Sequence, residues 1–181
     1  MAGETPSQTI GPFFHIGLEW KGGEKAEFGT PGERITLTGR ITDGAGAPID
    51  DAMLETWQMD GAGKAPAAGE SRPGGFARCY TDKEGRYRIE TAMPGAFSGP
   101  DGARYVPQLN VTIFMRGLLK AIRTRVLLVT ADAAKEDPFA RAIGDLARLK
   151  TVLAHRDAAR PGVWNWDVRV QGEGETAFIE F

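Results

Sequence analysis

One cysteine, two histidines and three tyrosines in 181 residues restrict what this chain can do. Cys79 has no second cysteine for an internal disulfide, which excludes a cross-linked secreted framework and points to a reducing compartment. With His15 and His155 alone, a metal centre built from His and Cys lacks ligands. The sequence has no G-x-S-x-G elbow, no H-E-x-x-H helix and no phosphate-cradling glycine loop, so the common hydrolytic and nucleotide-binding machineries are excluded. Long apolar runs are also missing, Val126 to Val129 being typical. The first twenty residues carry Glu4, Pro6, Gln8 and Pro12 in place of a charged segment followed by an apolar one. The expectation is neither a membrane span nor a signal peptide, and a cytoplasmic location. Lys and Arg number 22 against 24 Asp and Glu, a net charge of -2 with no basic block, so nucleic acid is excluded as a natural partner.

What the chain does have is glycine and proline, 24 and 11 residues spread without a collagen period, together about a fifth of the chain. Turns are therefore frequent and a helical bundle is disfavoured. The 41% hydrophobic content, with four Trp and nine Phe, supports one sizeable core, and the length suits a single domain over residues 1–181. Ile35, Leu37, Gly39 and Ile41 alternate with Thr36, Thr38 and Arg40, the period of a half-buried strand. Comparable runs at 53–59, 77–81, 86–91, 108–117, 124–130, 164–171 and 176–181 are separated by Asp43-Gly44, Glu84-Gly85, Pro94-Gly95 and Gly172 to Gly174. About eight short strands at this spacing predict an all-β sandwich or barrel. After Asp137-Pro138, the spacing of Phe139, Ile143, Leu146, Leu149 and Leu153 predicts one amphipathic helix over 138–154. Residues 19–34 and 60–76 read as long surface loops.

Four stretches carry a family resemblance. TPSQTIGPFFHIGL at 5–18 resembles an amino-terminal arm, and GRITDGAGAPIDDAMLETWQMDGAG at 39–63 ends in an E-x-W-Q-x-D pattern at Glu55, Trp57, Gln58 and Asp60. PQLNVTIFMRGLLKAIRTRV at 107–126 and QGEGETAFIEF at 171–181 complete the set. Together they are similar to the intradiol ring-cleavage dioxygenases, and specifically to the non-catalytic alpha subunit of a two-chain member. The resemblance implies a β-sandwich and a catalytic beta-subunit partner holding a non-haem Fe(III) through two Tyr and two His. The substrates implied are a small aromatic catechol acid and O2.

Carried onto this chain, the family's histidine positions fall on Gln108 and Asn110, and one tyrosine position falls on Phe97. The other tyrosine belongs in the loop at 60–76, which contains none. Amide oxygens and a phenyl ring are poor ligands for a transition metal, so no metal site is expected here. The contribution implied for this chain is to line the partner's cleft with Thr9, Gly11, Pro12 and Phe13 of an arm at 1–18, and to bind the substrate's carboxylate through Arg116. Gly lets a backbone approach a ligand closely, Pro stiffens it, and a guanidinium pairs a carboxylate through two parallel hydrogen bonds. Where the family commonly has Tyr, Phe13 brings no hydroxyl. The plainer readings stand beside these. Arg116 is a surface residue paired with a neighbouring carboxylate, and Gly11 and Pro12 end an extended arm. His15 is an interface or core histidine, Trp57, Trp164 and Trp166 pack the sheets, and Cys79 is an inert buried thiol. The other class of answer is a stand-alone β-sandwich module that has kept the fold without the chemistry.

Overall fold

The structure, a computed structural model, describes residues 11, 13–28, 32–66 and 74–179. In chain order the elements are α1 (Phe14–Gly17), β1 (Arg34–Thr42), β2 (Met53–Gln58), β3 (Phe76–Tyr80), β4 (Arg86–Ala92), β5 (Phe97–Ser98), β6 (Arg104–Tyr105), β7 (Gln108–Phe114), β8 (Ile122–Leu127), α2 (Ala131–Ala134), α3 (Pro138–Ile143), α4 (Leu146–Lys150), β9 (His155–Arg156), β10 (Val163–Asn165) and β11 (Val168–Arg169).

Two sheets face each other, as the alternation predicts. In one, β1 pairs antiparallel with β4 from Arg34 to Arg40. Along its other edge it runs parallel to β10 and then to β11, with β9 beyond β10. The second sheet has the order β3-β2-β7-β8, all antiparallel. Ile35, Leu37, Ile41 and Ile89 from the first sheet and Leu54, Leu109, Val111, Ile113 and Val126 from the second form a buried core with Trp164 and Trp166. Each such aliphatic side chain contributes about 1.5 to 3 kcal/mol by burial. A smaller cluster of Leu127, Ala134, Ala140, Leu149, Val152 and Leu153 seats the helices on the end of β8. Among the described residues no helix is long and apolar enough to cross a membrane.

Several expectations are corrected. The single helix over 138–154 is two short ones. Gly144 takes a left-handed φ of +70° and closes α3, and the Asp145 side chain then caps α4 by accepting the Arg148 amide at 2.8 Å. The break rotates Leu146 off the apolar face, and it is exposed. The run at 164–171 is divided between β10 and β11. The run at 176–181 forms no strand among its described residues, because side-chain hydroxyls take the ladder's place: Thr151 accepts the Ala177 amide at 3.0 Å and Thr124 donates to the Ala177 carbonyl at 2.7 Å. One bridge, Arg123 to Ile179, remains. The stretch at 19–34 is not wholly surface either, since Ala26 is buried and Lys25 bridges to Glu90.

Candidate functional site

The two ends of the four-stranded sheet hold the residues singled out by sequence. At one end, Phe97, Gln108 and Asn110 converge with Trp57, Gln58, Met59, Ala65 and Pro66 around a partly open cavity of about 170 Å³. Positions eleven to thirteen residues apart in sequence meet because β5 folds back on β6 in register, Phe97 opposite Tyr105, immediately before β7 begins. The two rings stack with centroids 5.0 Å apart. The Arg125 guanidinium lies 5.4 Å from the Tyr105 ring and 5.5 Å from that of Phe139, joining this hairpin to α3. Asp137, fully buried, accepts the Phe139 amide at 2.8 Å and the Val106 amide at 2.9 Å, holding the chain between β6 and β7 against the same helix.

The E-x-W-Q-x-D motif builds this end, a role its sequence alone did not disclose. Glu55 pairs with Arg78. Trp57 lies opposite Asn110 and lines the cavity, half-buried, so it is a wall residue more than a core one. Gln58 is buried and crosses between the sheets, accepting from Thr91 Oγ1 at 2.8 Å and donating to the Ala92 carbonyl at 2.8 Å. Asp60 closes the next turn on the amides of Ala62 and Lys64, both at 2.9 Å, and its carbonyl accepts the Gly95 amide at 2.8 Å. A side chain on Gly95 would place its first carbon 2.6 Å from both the Gly61 carbonyl oxygen and the Gly63 nitrogen, so glycine is required where these two turns interlock.

The family's general cofactor, iron, does not fit this cavity. Phe97 offers no donor atom, and Gln108 and Asn110 offer neutral amides. Among the described residues no group of three or more His, Cys, Asp or Glu lies close enough to hold a metal ion. Gln108 is buried at 3% exposure, and its Oε1 has no hydrogen-bond partner.

Arg116 lies at the opposite end, beyond the last residue of β7 and about 20 Å of strand away from Gln108. The register that sets Met53 opposite Phe114, continued by two residues, sets Asp51 opposite Arg116. The Arg116 amide donates to Asp51 Oδ2 at 3.3 Å, Nε donates to the same oxygen, and Nη2 stands 3.6 Å from Asp50. The hydrogen bond that Arg116 donates to Asp51, with the carboxylate's charge, raises the guanidinium above its usual range. The plainer reading of a surface arginine paired with a carboxylate thus describes the isolated chain, with Asp51 as the partner sequence reasoning missed.

Phe14, in the described part of the arm, lies near the same end. Tyr80, opposite Met53, stacks on Phe14 with centroids 6.1 Å apart. Arg78 donates to the Leu18 carbonyl at 2.9 Å and lies 4.8 Å from the Trp20 ring, fastening the segment after α1 to β3. Phe14 is buried and Phe13 is 74% exposed; the Phe-Phe doublet was the signal for an anchor, but not for which ring is buried. Gly11 is half-buried with a φ of +73°. Thr9, Pro12 and the His15 side chain lie outside the described residues. Cys79 is buried, and burial pushes its thiol up to about 12, so it stays protonated and unreactive.

Comparison with known proteins shows the family. A family model described as Dioxygenase matches residues 12–113. The chain is 39% identical to the protocatechuate 3,4-dioxygenase alpha chain of Burkholderia cepacia, covering 98% of this chain and 97% of that one. It is 33% identical to the alpha chain of the same name from Pseudomonas putida, over 98% and 96%. Its fold is similar to that of catechol 1,2-dioxygenase from Pseudomonas arvilla C-1, with a TM-score of 0.63 and 21% identity over 84% of this chain and 58% of that one. With a matched model over more than half its length and relatives matched from end to end, the chain belongs to the intradiol ring-cleavage dioxygenase family.

Proposed function

We propose that this chain is the alpha subunit of a protocatechuate 3,4-dioxygenase. It acts in the cytoplasm as one intradiol-dioxygenase-like domain, residues 1–181, joined to a catalytic beta chain in an αβ hetero-oligomer, without nucleic-acid or membrane partners. The beta chain supplies the non-haem Fe(III). The assembly cleaves the ring of protocatechuate between its two hydroxylated carbons, both atoms of O2 entering the product, 3-carboxy-cis,cis-muconate.

The observation that carries this reading is the end-to-end likeness to an alpha chain in a molecule whose own cavity presents a phenyl ring and two amides at the family's ligand positions. The work of this chain is therefore done at its other end. Thr9, Gly11, Pro12 and Phe13 shape the cleft, and Arg116 binds the carboxylate of the substrate. Asp51 holds Nε and sets the direction of the guanidinium fork. Asp50 is exposed and more distant, and it is the carboxylate that the substrate's own replaces.

Co-expression tests the proposal. The chain purified alone is expected to carry no iron and no ring-cleaving activity, and both are expected when a beta chain from the same source is produced with it. Iron held tightly by the lone chain, or failure of the pair to elute as one hetero-oligomer on size exclusion, overturns it in favour of a stand-alone module.

A further inference from the structure

We infer that the cavity between β2, β5 and β7 is a binding site of its own for a small, uncharged, monocyclic phenol. Its size is the first argument. Apolar protein cavities of about 150 Å³ take up benzene, and this one measures about 170 Å³ with Trp57, Met59, Pro66 and Phe97 among its walls. Aromatic and thioether surfaces on several sides suit a flat ring.

Charge is the second argument. Among the described lining residues none is charged. Arg125 is the cross-strand neighbour of Asn110, but its guanidinium lies against Tyr105 and Phe139 and is not part of the lining. An aromatic carboxylate entering here would lose its hydration and meet no cation among the described lining residues, which a buried anion does not tolerate. The described walls therefore disfavour the anionic acid that Arg116 is proposed to bind.

The polar handle is the third. Gln108 lines the cavity, is 3% exposed and has an amide oxygen with no partner. Buried polar atoms in native proteins are almost always paired. The terminal torsion of a Gln side chain is soft, so either end of the amide turns toward the cavity. A hydroxyl both donates and accepts, and it satisfies whichever end it meets. Asn110 adds an exposed amide at the mouth, its Nδ2 donating to the Trp57 carbonyl at 3.4 Å. Water would pair with the amide but leave the apolar walls without contacts, whereas a phenol does both.

This inference concerns only the walls of this chain and does not rest on the function proposed above. Its test is calorimetric titration of the full-length chain with phenol, benzene and benzoate. Phenol is expected to saturate with a Kd of about 1 mM, with benzoate at least about tenfold weaker. In Gln108→Leu, phenol affinity is expected to fall about fivefold to tenfold while benzene still binds. Ala65→Phe, on the exposed rim and outside the core, is expected to block phenol and benzene alike. Absence of saturable phenol binding, benzoate binding as tightly as phenol, or an Ala65→Phe chain that binds phenol like the parent each overturns the inference. Should Gln108→Leu fail to fold, the phenol-to-benzoate comparison and Ala65→Phe decide it alone.

Discussion

The two ends of the β3-β2-β7-β8 sheet differ in nearly every physical respect. The cavity end is lined by uncharged residues and held by buried polar clips, Gln58 between the sheets and Asp137 at the start of α3. The far end is charged and open, with Arg116 between Asp50 and Asp51 and three large apolar side chains, Phe13, Ile16 and Leu119, facing outward. The cavity end presents a phenyl ring and two amides where the resemblance places metal ligands. On the function proposed above, recognition of the substrate's carboxylate belongs to the far end. The lesson is that the cavity end is held by buried networks whose every polar member, if removed, would leave its partners unpaired, whereas the far end is held by exposed charge.

Disturbing each end in turn separates stability from recognition. The largest effect is expected from Gly95→Val, whose side chain would press on the backbone of Gly61 to Gly63. Thermal or urea unfolding should show a loss of about 2 to 3 kcal/mol. The KM for protocatechuate of the surviving complex should be unchanged. Asp137→Ala follows, since it strips the acceptor from the Val106 and Phe139 amides. A loss of about 2 kcal/mol by denaturant titration, again with KM unchanged, is expected. A rise in KM in either variant would mean that the two ends are coupled.

At the far end the expectation reverses. Arg116→Ala in the active complex should raise KM for protocatechuate about tenfold while the unfolding midpoint stays close to the parent's, because the guanidinium is exposed. An unchanged KM removes the substrate role. The smallest effect belongs to Asp51→Asn. It keeps an oxygen acceptor for Nε but drops the charge, and KM should rise about threefold with kcat preserved. A fall in KM would show that Asp51 competes with the substrate for Arg116 instead of aiming it.

The sheets were legible in the sequence because alternation of side chains is a local property: β1, β2, β4 and β7 lie where Ile35, Leu54, Ile89 and Val111 alternate with polar neighbours. The helical region was misread although its signal was present. Gly144-Asp145 is a stop followed by a cap, but Leu146 and Leu149 kept an apparent period across it. The carboxyl-terminal run had the composition of a strand, and what displaced it, hydroxyls from Thr124 and Thr151, lies 26 to 53 residues away.

For the site, the sequence by itself determined the chemistry available: amides at 108 and 110, a phenyl ring at 97 and a guanidinium at 116. Those identities need no fold to be read, and none of the amides or the phenyl ring is a good donor for iron. Only the tertiary structure decided the company each residue keeps. It gathered Phe97, Gln108 and Asn110 around one cavity, left the Gln108 oxygen without a partner and set Asp51 against Arg116. The physical reason is strand register. It is fixed by which apolar faces meet in the core, by Leu54 against Ile113 and Thr56 against Val111, and the polar residues between them are carried to neighbours that their own sequence spacing does not name.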